Sequence, residues 1–190
     1  MAGVEWFLMP ADRGLLGWRL WLWWVLASSV GWVLGLAGGF AAGFAIGGAV
    51  SGIASQSAFG AVLGASIGTL QWVVLRRQIA RAGWWVLATA LGMGVGFALI
   101  RAVTPAVTGA LGGGPIYGLV NGSLVGTLAG ALQWPVLRKQ SSRAGWWVLT
   151  SAAGTSVGFA LDQVVGQLVG MAVTGTALVW LLRQPAQGKG

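Results

Sequence analysis

Few side chains in this sequence could do chemistry. It contains no histidine and no cysteine, and its carboxylates are Glu5, Asp12 and Asp162. A hydrolase or transferase needs a base or a pair of carboxylates within reach of its substrate, and ion-coupled transport normally places ionisable groups at mid-membrane. Three scattered acids meet neither need. The missing histidine and cysteine also remove the usual ligands for zinc, copper, haem and iron–sulfur clusters. What polar content the spans have is Asn121, Ser28, Ser29, Ser66, Ser123, several threonines and two equivalent amides, Gln71 and Gln133, each followed by a tryptophan, Trp72 and Trp134. An amide there can bond a neighbouring helix or a headgroup, and its oxygen can coordinate a chlorophyll magnesium where histidine is lacking. Interhelical bonding is the simpler use. The expectation is a protein that is not an enzyme and carries no metal site and no cofactor.

The elements that position these amides repeat. Arg81-Ala82-Gly83-Trp84-Trp85-Val86-Leu87 returns unchanged at Arg143 to Leu149, with Trp146 and Trp147 as its tryptophan pair, and Trp23-Trp24-Val25-Leu26 is a partial third copy. Each copy opens an apolar run, and a second run follows that ends in tryptophan and then basic residues: Leu70-Gln71-Trp72, Leu132-Gln133-Trp134 and Leu178-Val179-Trp180. With 56% hydrophobic and 7% charged residues, the chain belongs to the polytopic membrane class. The expected fold is therefore all-α: six transmembrane helices in three tandem helical-hairpin repeats. A leader over 1–17 precedes repeats at 18–78, 79–140 and 141–184, and a tail covers 185–190.

The spans expected are Leu20–Phe40, Phe59–Leu75, Gly83–Ile100, Ile116–Leu137, Gly145–Leu161 and Val165–Leu182. Thr104-Pro105 and Gly112-Gly113-Gly114-Pro115 punctuate the connection after the third, because proline and clustered glycine break helices. Glycines recur at every fourth residue: Gly31, Gly35, Gly39, Gly43 and Gly47; Gly60, Gly64 and Gly68; Gly114, Gly118, Gly122, Gly126 and Gly130; Gly154 and Gly158. Such rows let helix backbones approach closely in lipid, where burying leucine gains little. Trp72, Trp84, Trp85, Trp134, Trp146, Trp147 and Trp180 read as an interfacial belt. Arg101 and Asp162, at the outer ends of the third and fifth spans, read as a polar contact between repeats.

Ten of the 11 basic residues fall on one side of this topology and Arg101 alone on the other. By the positive-inside rule both termini lie in the cytoplasm of a bacterial inner membrane. The net charge of +8 is then a matter of orientation and of anionic headgroups, with no call for nucleic acid. The block Gln133-Trp134-Pro135-Val136-Leu137-Arg138 followed by Arg143 to Leu149, with its earlier copy from Gln71 to Leu87, resembles tryptophan- and glycine-rich multipass membrane proteins of cyanobacteria and Chloroflexi-like bacteria. The resemblance covers roughly residues 18–184 and implies location and architecture, with no activity attached.

The function expected is a non-catalytic membrane scaffold or accessory subunit that packs with itself or with a larger membrane complex. An alternative is a binding protein for an apolar ligand such as a pigment, quinone or lipid. A passive pore is a third reading, opposed by the shortage of polar lining residues.

Overall fold

In a computed structural model of the chain, residues 13–47, 52–79, 81–112, 114–161 and 163–184 are described. They form six α-helices: α1 (Arg13–Gly47), α2 (Ile53–Leu75), α3 (Gly83–Leu111), α4 (Pro115–Leu137), α5 (Trp146–Ala160) and α6 (Gln163–Arg183). Five of them, all but α5, are long and apolar enough to cross a membrane. The 15 residues of α5 rise only about 22 Å, short of a hydrocarbon core of about 30 Å. Each helix packs on the next in the chain, and α6 returns to α1, so the six close into a ring.

Three helices clearly exceed their expected lengths, and α2 is one of them, starting at Ile53 instead of Phe59. Nothing between Arg13 and Gly47 breaks a helix, and α1 runs through 35 residues instead of stopping at Phe40. Pro105 does not end the third helix. α3 continues through it to Leu111. Thr104 Oγ1 donates to Ile100 O (2.6 Å) and Thr108 Oγ1 to Thr104 O (2.7 Å), so threonine hydroxyls bond the main chain on both flanks of the proline. The turn falls instead at Gly112 and Gly114, whose φ values of 73° and 83° suit glycine.

The close contacts are glycine against backbone. A Cβ added at Gly31 would lie 2.7 Å from Ile67 Cα, and one at Gly122 would lie 2.5 Å from Thr155 O and 2.6 Å from Ser156 Cα. Gly31, Gly35 and Gly39 thus face α2, while Gly60, Gly64 and Gly68 face α3. Gly118, Gly122, Gly126 and Gly130 face α5, whose own Gly154 and Gly158 face α6. Gly43 is buried, and Gly47 lies beside the Ser55 side chain. Gly114 does not belong to its row. It caps α4 from outside with open space around it, and glycine is needed there for the turn.

Candidate functional site

The tryptophan pairs divide. Successive helical residues point about 100° apart, so the two rings of a pair take different directions. Trp23, Trp84 and Trp146 are exposed (61%, 62% and 55%), whereas Trp24, Trp85 and Trp147 are buried (1%, 0% and 2%). The anchoring role expected of Trp85 and Trp147 is therefore corrected: they meet Trp24 on the axis of the bundle. Their centroids are 5.9 Å apart for Trp24–Trp85, 5.9 Å for Trp24–Trp147 and 5.4 Å for Trp85–Trp147, with interplanar angles of 79°, 82° and 54°. The two edge-to-face contacts of Trp24 contribute about 0.5–1.5 kcal/mol each beyond simple burial. Leu75, Leu137, Leu178 and Leu181, none of them exposed, complete this plug. Trp72, partly buried, packs against it, and Trp134 and Trp180 are partly exposed at 38% each.

Gln71 and Gln133 lie just above the plug, buried, and each ties three helices together. Trp85 Nε1 donates to Gln71 Oε1 (2.8 Å), and Gln71 Nε2 donates to Ser28 Oγ (3.0 Å). Trp147 Nε1 donates to Gln133 Oε1 (2.8 Å), and Gln133 Nε2 donates to Thr89 Oγ1 (2.8 Å). A third link of the same kind would need a glutamine on α6, where alignment on Trp180 puts Val179. Its two would-be partners behave accordingly. Trp24 Nε1 turns to Thr174 Oγ1 (3.3 Å), and Ser151 Oγ, which stands four residues after Trp147 as Ser28 stands after Trp24 and Thr89 after Trp85, is buried with no partner among the described residues.

Above this polar level the helices part around a chamber of about 320 Å³. Its floor takes one polar side chain from each helix: Ser28, Gln71, Thr89, Gln133, Ser151 and Thr174. Its walls are apolar, with Trp32, Leu36, Leu63, Met93, Val125 and Met171. At the far end, Phe40, Phe59, Phe97 and Phe159 form a chain of ring contacts at 5.0, 5.2 and 6.0 Å, and Gln167 lines the same end. No family model, no curated protein and no solved structure matches this chain. The chamber must be read from its chemistry.

The described residues hold no cluster of metal-ligating side chains. Both amide oxygens that could have coordinated a magnesium accept from a tryptophan ring. The chamber instead offers aromatic and aliphatic surface, an orphan hydroxyl at Ser151, and the amide of Gln167. Arg101 lies exposed on α3, and Asp162, the other half of the expected contact, falls outside the described residues. Sequence reasoning missed the phenylalanine chain and the partition of the tryptophan pairs. A signal for the second was present: Gln71 and Trp85, like Gln133 and Trp147, are 14 residues apart.

Proposed function

We propose that this protein is an integral membrane binding protein whose helices enclose one small, largely apolar ligand bearing at least one hydrogen-bonding group. The observation that carries this reading is the chamber. Its volume sits at the small end of the roughly 300–1,000 Å³ of ligand sites, and its few polar atoms converge on an apolar interior as such sites do. The unpartnered Ser151 hydroxyl gives the ligand something to bond, since a buried hydroxyl without a partner costs about 1–3 kcal/mol. The scaffold reading draws its support from the glycine rows, and within this chain those rows are taken up between neighbouring helices. In this proposal α5, with its flanking turns, serves as a sixth, short span, the helices pair as three hairpins of one ancestral pattern, and the end rich in arginine and lysine faces the cytoplasm of a bacterial inner membrane.

Native mass spectrometry of protein purified in mild detergent tests the reading. The expected spectrum shows the chain carrying a single small organic adduct. Ser151→Ala should weaken the adduct without lowering the melting temperature, because the hydroxyl supports no described bond. Bare polypeptide in every gentle preparation would overturn the proposal.

A further inference from the structure

A second concavity, of about 400 Å³, opens on the outside of the ring between α3 and α4. Its walls are hydrocarbon: Leu87, Ala88 and Leu91 on α3 face Leu132 and Val136 on α4. Its mouth is cationic, with Arg81, Arg138 and Lys139. All three acidic residues of the sequence lie outside the described segments, so no described carboxylate offsets that charge. Trp84, exposed, stands beside the mouth at the junction of the two zones.

We infer that this groove binds one anionic glycerophospholipid, its phosphate among Arg81, Arg138 and Lys139 and an acyl chain along the leucines below. Charge and hydrocarbon are stacked in the order such a lipid presents them, and basic pockets between membrane helices are suited to anionic headgroups. Local backbone features build the site. Arg81 has φ 60°, the one described non-glycine residue with a left-handed backbone, and it is followed by buried Ala82 and preceded at one remove by buried Ile79. That conformation, held by the two buried neighbours, costs about 1–2 kcal/mol and sets the arginine at the mouth. Pro135 lines the groove where the first such segment has Val73. Arg138 lies over the Trp134 ring at 5.1 Å, which holds its guanidinium at the mouth, and Arg143, the match of Arg81 in the third hairpin, lies over the Trp180 ring at 5.6 Å.

The test uses the full chain in detergent, titrated with phosphatidylglycerol or with phosphatidylcholine of the same acyl chains, and reads bound lipid by native mass spectrometry. One phosphatidylglycerol per chain should bind well ahead of phosphatidylcholine. Removing cations by Arg81→Asn, Arg138→Gln and Lys139→Gln should weaken binding roughly fivefold per charge and about a hundredfold for all three. Arg76→Gln with Arg77→Gln, at the same end but outside the groove, should leave it within twofold. Leu91→Trp, on an exposed position, should block the acyl path and lower binding without loss of charge. Equal binding of the two lipids, or an equal loss on removing Arg76 and Arg77, would overturn the proposal, because either would mean general surface attraction. Displacement of the lipid by millimolar inorganic phosphate would overturn it as well, since it would reduce the site to an anion pocket. None of these results depends on whether the central chamber is filled.

Discussion

At the scale of single residues, the two glutamines matter because they are acceptors for ring nitrogens that have nowhere else to turn. Trp147 is 2% exposed, and its Nε1 reaches Gln133 Oε1 at 2.8 Å. Gln133→Leu keeps the volume and removes that acceptor together with the bond to Thr89. Stranding a buried donor costs about 1–3 kcal/mol. Thermal melting in detergent should therefore drop by several degrees for Gln133→Leu, and Gln71→Leu should match it through Trp85 and Ser28. Substitution of Trp134, partly exposed beside Gln133, should cost less than substitution of Trp147. If the two glutamine variants melt with the parent, the amide links are incidental to stability.

At the scale of helices, the contacts are between bare backbone surfaces, and the glycine positions show how bare they must be. Gly122 admits no Cβ without moving Thr155 O or Ser156 Cα. Gly122→Leu should push α4 from α5 at about the 1–3 kcal/mol typical of overpacking, whereas Leu119→Ile, on the exposed face of the same helix, should melt close to the parent. An unchanged melting temperature for Gly122→Leu would show that the interface yields easily. Much of this level was legible in the sequence. Helix number and type follow from long apolar runs, and the glycine spacing marks the contact faces. Less legible were ends and facing. Pro105 reads as a breaker when its flanking threonines are not considered, and Gly114 keeps the four-residue spacing while serving the turn. The tryptophan pairs mislead for a related reason: composition places tryptophan at a membrane interface, but only packing tells which ring of a pair points inward. The chamber was not legible at all, because it exists only when α6 closes on α1.

At the scale of the whole molecule, closure adds tryptophan to the glycine contacts. On α6, Gly175 packs against α1, where a Cβ would lie 2.9 Å from Trp24 Cδ1 and 3.1 Å from Trp21 Cδ1, and polar atoms join the same two helices: Trp21 Nε1 donates to Ala172 O (3.1 Å) and to Thr176 Oγ1 (3.2 Å), and Ser29 Oγ lies 3.3 Å from Met171 Sδ. Closure sets which residues share an end. Arg19, Arg76, Arg138, Arg143 and Arg183 gather at the end where the α2–α3 and α4–α5 turns lie, and α3 carries Arg101 toward the other. At 1.5 Å per residue, Ala106 stands about 35 Å along α3 from Gly83, farther than the hydrocarbon core is thick. Ser142, in the α4–α5 turn, and Ala106 are both exposed, and the chain has no cysteine of its own. A single cysteine at Ser142 should therefore react with an impermeant thiol reagent only after the membrane is opened, and one at Ala106 should react in intact cells. The difference in basic charge between the ends predicts that order, and reaction of both cysteines in intact cells, or the reverse order, would refute the proposed orientation while leaving the ring, its chamber and the α3–α4 groove to their own tests.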